Sequence, residues 1–149
     1  MKQMVYRSPF GPIAVAEEGG LITALSWSGR TTEVSALLRE ACAQLDDYFQ
    51  GKRRAFDLPL DLGSGFQGQV RRAMAAIPFG ETRTYGDLSR ELGVPAQAIG
   101  QACGANPIPI LIPCHRVLGA KGLGGFSAKG GVETKVALLR LEGAAGLLI

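Results

Sequence analysis

Histidine occurs once in these 149 residues, tryptophan once and cysteine three times. That scarcity excludes several classes at once. With one histidine and no Cys-x-x-Cys spacing, the chain lacks the ligands of a zinc site. An odd number of widely spaced cysteines argues against a disulfide framework and for reduced thiols, as in a cytoplasmic protein. No apolar run is long enough to span a bilayer, so no membrane partner is expected. The opening "MKQMVYRSPFGPIAVAEEGG" has no continuous apolar stretch of the secretory kind. No glycine loop ends in Gly-Lys-Ser/Thr, which excludes a phosphate-binding P-loop. No internal repeat is present.

What is there describes a globular chain. At 46% hydrophobic and 19% charged residues it can build a core, as one domain or two small ones. A net charge of +3 is compatible with nucleic-acid binding and does not by itself demonstrate it.

The order of patterns predicts an α+β fold. "MVYRSPFGPIAVAEEGGLITALSW" reads as two or three antiparallel strands, joined at residues 9–12 and at Gly19-Gly20. Thr31 or Thr32 can cap a following helix whose face carries Leu38, Ala41, Cys42, Leu45, Tyr48 and Phe49, and "AFDLPLDL" reads as one more strand. This gives a small N-terminal domain, 1–63, with an antiparallel sheet and a helix. A Gly-Ser-Gly link then leads into a mostly helical C-terminal domain, 64–149.

There, Phe66, Val70, Met74 and Ile77 form an apolar stripe. In "TYGDLSRELG", Thr84 and Asp87 have capping-box spacing and Gly93 suits a helix end. "PAQAIGQACGAN" opens a second short helix with Pro95 at its first position, completing a helix-turn-helix pattern. "PIPILI" is expected to be extended because of its prolines. Six glycines between 119 and 131 predict a long loop, and "ETKVALLRLEG" a closing helix ended by Gly143.

Two features carry chemistry. The helix with Ala96, Ala98, Gly100, Ala102, Gly104 and Ala105 is thin; either it packs closely on a neighbour, or it presses into a minor groove only about 6 Å wide, with Gln97 projecting from its start. Cys42 and Cys103 read as buried packing residues. Cys114 differs, because it ends an apolar segment beside His115 and Arg116, and cationic neighbours favour a thiolate. Adjacent side chains on an extended segment point to opposite faces, so His115 would reach the sulfur through a water. A Cys-His pair alone is a weak signal.

"NPIPILIPCHRVLGAKG" closely resembles the active-site segment of the O6-alkylguanine-DNA alkyltransferases, whose hallmark is Pro-Cys-His-Arg-Val after Asn-Pro. "IPFGETRTYGDLSRELG" resembles the family's Pro-x-Gly-x-x-x-x-Tyr helix, and "GGFSAKGGVETKVALLRLEG" its glycine loop and terminal Leu-Leu-x-x-Glu-Gly helix. The matching motifs run from about residue 65 to 143; the first half fits by order and length only.

The resemblance implies irreversible, single-turnover transfer of an alkyl group from O6-alkylguanine in double-stranded DNA to Cys114, by a monomer using no cofactor and no metal. It implies that His115 is the base, oriented by Glu142, and that Asn106 links the recognition helix to the active-site segment. By the same resemblance Tyr85, Gln97, Ala98, Gly100, Val117, Phe126, Ser127 and Lys135 contact the flipped base or the DNA from the minor groove, and Arg116 holds the segment by a salt bridge. Three departures stand out: Gln97 where the family has arginine, Phe126 for tyrosine, and two extra residues, Ala128 and Lys129. Two other readings compete. An alkyltransferase-like damage-binding protein would lack the acceptor cysteine, and a thiol hydrolase would use Cys114 and His115 without any further motif seen here.

Overall fold

The computed structural model describes residues 2–119 and 131–144. The chain forms two compact units, Met1–Asp61 and Leu62–Ile149. Together they give the α+β class that the pattern order predicts.

In the first unit, β1 (Lys2–Ser8), β2 (Gly11–Glu18) and β3 (Leu21–Ser26) form an antiparallel sheet in sequence order. Gly19 and Gly20 both take positive φ, the geometry of a two-residue hairpin turn that matches strand twist. Four successive residues of β2, Ile13 to Ala16, are buried. Successive residues face opposite sides of a sheet, so both faces of the central strand are covered there. Helix α1 (Ala36–Phe49) buries Leu38, Ala41, Cys42, Leu45 and Tyr48 at helical spacing. Each fully buried aliphatic side chain of this kind contributes roughly 1.5–3 kcal/mol.

Two expectations fail in this unit. Ser35, and not Thr31 or Thr32, caps α1, accepting from the Leu38 amide at 3.1 Å and donating to the Glu17 carboxylate. The threonines are engaged along β1: Thr31 Oγ1 accepts from Val5 N, and Thr32 N donates to Gln3 O. The segment 55–62 is not a strand; only Leu60 makes a parallel bridge, to Ile22. Pro59 has no amide to offer a ladder, and the Gln44 side chain satisfies both the N–H and the carbonyl of Asp57.

The second unit begins with α2 (Gly65–Ala75), which buries Val70 and Met74. The two-residue strand β4 (Arg83–Thr84) leads directly into α3 (Tyr85–Leu92). Thr84 and Asp87 make both bonds of a capping box, at 3.0 and 2.8 Å, and Gly93 ends the helix in the left-handed region. Residues 93–95 turn the chain into α4 (Ala96–Gly104). Pro95 is the cap of α4 and not its first residue; its carbonyl accepts from the Ala98 and Ile99 amides.

The segment 107–112 is a tight loop, where an extended segment is expected. Ile110 has φ 73, Pro109 bridges Ile112, and the Ile112 amide donates to Ile108 O at 2.8 Å. Prolines exclude helix here but tolerate a turn. Cys114–Arg116 then forms one turn of 3-10 helix, followed by β5 (Val117–Leu118), which pairs in parallel with β4. Helix α5 (Val132–Leu141) closes the unit, with Gly143 at positive φ. Among the described residues no helix is long and apolar enough to cross a membrane.

Thr84→Ala removes the accepting oxygen of the capping box, so unfolding free energy should drop by about 1 kcal/mol in urea denaturation. An unchanged midpoint would mean that α3 is held by packing alone.

Candidate active site

Asn106 organises the approach to Cys114. Its side-chain amide donates to Ile112 O at 2.9 Å, and its oxygen accepts from Ile108 N at 3.0 Å, which closes the proline loop. The Cys114 amide donates to the same Ile112 carbonyl at 2.8 Å, and the Asn106 side chain opposes the rise in the thiol pKa. One asparagine therefore links the end of α4 to the loop that leads to Cys114. The β4–β5 ladder, with Arg83 opposite Val117 and Thr84 opposite Leu118, fixes the start of α3 beside the residues that follow Cys114.

His115 is fully buried, and its Nε2 lies 2.8 Å from Glu142 Oε2. Arg116 donates to both oxygens of the same carboxylate, Nε to Oε1 at 2.9 Å and Nη2 to Oε2 at 3.0 Å. Its Nη1 donates to Ile77 O at 2.6 Å. A carboxylate only accepts, so His115 Nε2 carries the proton and Nδ1 keeps its lone pair. Among the described residues Nδ1 has no hydrogen-bond partner. The imidazole is thus oriented by one nitrogen and basic at the other, the arrangement of a base held by a third group.

Cys114 is 8% exposed, and burial raises its thiol pKa despite opposing contributions from Asn106 and from the Lys135 ammonium. The resting sulfur is a neutral thiol that needs a base. Lys135 is fully buried, donates to Val117 O at 2.7 Å and lies 5.9 Å from the centre of the Tyr85 ring. Burial lowers its pKa, against the two thiols, Cys114 and Cys103, which raise it. Tyr85 is half-buried, and burial first, then Cys103 and Cys114, push its pKa up, so the hydroxyl stays a proton donor. For His115, desolvation outweighs Glu142 and depresses the pKa, so the ring rests neutral.

The structure thus brings together Cys114, His115, Glu142, Asn106, Val117, Lys135 and Tyr85, with Arg116 as the salt-bridge residue. Cys114 stands on a 3-10 turn, which corrects the extended geometry expected for it. Gln97, Ala98 and Gly100 lie apart from this cluster, on α4: Gln97 is exposed, Ala98 and Gly100 half-buried. Phe126 and Ser127, with the glycine loop and the additional Ala128 and Lys129, lie outside the described residues. Sequence reasoning treated Cys103 as packing alone. Its sulfur does pack, 3.5 Å from Met74 Sδ, and burial raises its pKa to about 12, but it also belongs to the environment of Cys114, Tyr85 and Lys135. Nothing in the sequence signals that, because a proline loop of unforeseen shape joins the two cysteines.

Comparison with known proteins bears on the whole chain. Residues 1–62 match the family described as 6-O-methylguanine DNA methyltransferase, ribonuclease-like domain, and residues 65–144 match its DNA binding domain. The methylated-DNA–protein-cysteine methyltransferase of Mycobacterium tuberculosis (strain H37Rv) is 44% identical over 147 residues, covering 91% of this chain and 88% of that protein. Its namesake from Methanosarcina acetivorans is 40% identical over 156 residues, covering 96% and 99%. The crystal structure of M. tuberculosis OGT in complex with DNA superimposes with a TM-score of 0.85 at 41% identity, covering 96% of this chain and 93% of that one.

The neutral His115 makes a pH prediction. Its unfolded value is near 6.5 and its folded value lower, so the unfolded state binds more protons as pH falls below about 6.5. Stability is therefore full above that pH and is lost below it, with a slope of at most about 1.4 kcal/mol per pH unit from this group. Urea unfolding between pH 7.5 and 5.5 should show that loss, and His115→Asn should show a shallower slope. Equal slopes would mean that the ring is already charged in the native state.

Proposed function

The chain belongs to the 6-O-methylguanine DNA methyltransferase family, and from that membership we propose that it repairs O6-alkylguanine in duplex DNA by accepting the alkyl group on Cys114. It is a methylated-DNA–protein-cysteine methyltransferase by kind: a DNA-binding protein that reverses damage by alkyl transfer. The observation that carries the assignment to Cys114 is the buried Glu142–His115 pair, whose free Nδ1 belongs to the residue beside a thiol that burial keeps protonated.

The step balances as follows. The Cys114 proton passes to His115 Nδ1, through a water. The sulfur then bonds to the alkyl carbon as the bond from that carbon to guanine O6 breaks, and the proton held by His115 returns through solvent to guanine, which becomes the keto base. Glu142 stabilises the imidazolium, and Lys135 the sulfur charge. Tyr85, a neutral hydroxyl, donates to the base. A thioether is a stable product, so each molecule acts once and needs no cofactor. The guanine must leave the stack to meet a buried thiol, at a cost of a few kcal/mol that a damaged, poorly paired base reduces.

Minor-groove entry through α4 is supported by what its glycines do not touch. A Cβ built on Gly100 or Gly104 meets no atom within 4 Å. Close packing among the described residues therefore does not require a glycine at either position, while close approach to a groove floor would.

Two measurements test this reading. Peptide mass after mixing with excess duplex containing one O6-methylguanine should show one methyl group on the Cys114 peptide, absent in Cys114→Ser. Tight binding without transfer would mean a damage-binding protein instead. Gly100→Ala should raise stability by up to about 1 kcal/mol, as alanine is the better helix former, while weakening duplex binding. A stabilised variant that binds duplex as well as the wild type would remove α4 from the interface.

A further inference from the structure

The exposed side of α4 repeats a second residue pair that the reading so far leaves unused. Gln97, Gly100, Gln101 and Gly104 stand at i, i+3, i+4 and i+7, so they share one face of the helix. Gln97, Gln101 and Gly104 are exposed and Gly100 half-buried, while Ile99, Ala102 and Cys103 fill the opposite, buried face. The two glutamines are thus the longest side chains on this face of α4. Beside them there is space, since an added Cβ at Gly100 or Gly104 meets no atom of the described residues within 4 Å.

We propose that Gln101 is a second duplex-contact residue, acting with Gln97 from the next turn of α4 on the minor-groove floor. This rests on the alkyl-transfer reading above. Side chains at i and i+4 have Cβ atoms about 5–6 Å apart, and successive base pairs are spaced about 3.4 Å along each strand. The two amides are therefore spaced to bond base pairs one to two steps apart. An A·T pair shows only acceptors in that groove, and a G·C pair adds the guanine amino donor. A glutamine amide offers two donors and an accepting oxygen, so both residues can bond to any sequence. Neither carries charge. Here the chain replaces one charged anchor by two neutral ones.

The test is binding of an undamaged duplex, followed by fluorescence anisotropy over a range of salt concentrations. Gln101→Ala should bind about five-fold more weakly, the value of one net hydrogen bond. The slope of log affinity against log salt should stay unchanged, because no phosphate contact is removed. Gln101→Arg should bind more tightly, with a slope steeper by about 0.9. Both variants place good helix formers on an exposed face and should melt no lower than the wild type. Wild-type affinity in Gln101→Ala, or an unaltered slope in Gln101→Arg, would overturn the assignment. Methyl transfer by the wild-type protein alongside such a result would overturn Gln101 alone. No transfer and no duplex binding by the wild type would overturn both readings.

Discussion

A single carboxylate, that of Glu142, accepts hydrogen bonds from one nitrogen of His115 and two of Arg116. All three residues are buried, and through Arg116 the network also reaches the Ile77 carbonyl beyond the end of α2. It ties the residue that ends α5 to the turn that carries Cys114. Charges taken out of water are tolerated only while every partner is present, so none of the three can change alone without leaving an uncompensated group. The same bonds decide the chemistry. Because the carboxylate accepts a hydrogen bond from Nε2–H, the basic nitrogen of His115 is fixed by the fold and not by solvent. Stability and reactivity in this unit come from one arrangement of atoms.

The electrostatics around the sulfur follow from burial. Desolvation favours neutral forms and pushes Cys114 up while it draws Lys135 and His115 down. The site therefore rests with a neutral imidazole and a protonated thiol. The thiolate is the form that oxidises and exchanges with disulfides. A residue that acts once has most to lose from such side reactions, so a thiol activated only when a base and an alkyl group are both present protects the single turnover. Lys135 serves in both states: it bonds the Val117 carbonyl at rest, and its charge opposes the rise in the thiol pKa.

Much of this was legible in the sequence, and what was not has a common cause. The capping box of Thr84 and Asp87, the apolar stripe of α1 from Leu38 to Tyr48 and the paired glycines between β2 and β3 are local signals and appear in the structure as read; of the α2 stripe, Val70 and Met74 are buried in the helix, while Ile77 lies just beyond it. Asn106, Glu142 and Lys135 could be found only by resemblance, because the contacts that define them join residues far apart in the chain. The errors arose where the backbone found partners outside the local pattern. Thr31 and Thr32 were drawn to β1 and left the cap to Ser35, Gln44 replaced a strand partner for Asp57, and Asn106 bent the proline segment into a loop. In each case a polar side chain or a neighbouring strand satisfied backbone groups that propensity alone would have assigned to regular structure.

Helix α4 shows how the two demands on this unit conflict. Nine residues with two glycines make a poor helix in isolation, since glycine costs about 1 kcal/mol against alanine at each site. The helix is kept by Ile99, Ala102 and Cys103 on its inner face, next to the α3 turn. Its outer face, exposed at Gln97, Gln101 and Gly104, lets another surface approach closely where glycine carries no side chain. If α4 meets DNA as proposed, the neutral glutamines there also set the terms of recognition. Phosphate contacts supply affinity that does not depend on sequence, and a face with fewer charges holds undamaged DNA less firmly. A protein that must pass over ordinary sequence to find rare lesions is served by that weakness, provided that the pocket around Cys114 supplies the discrimination once a damaged base has left the stack.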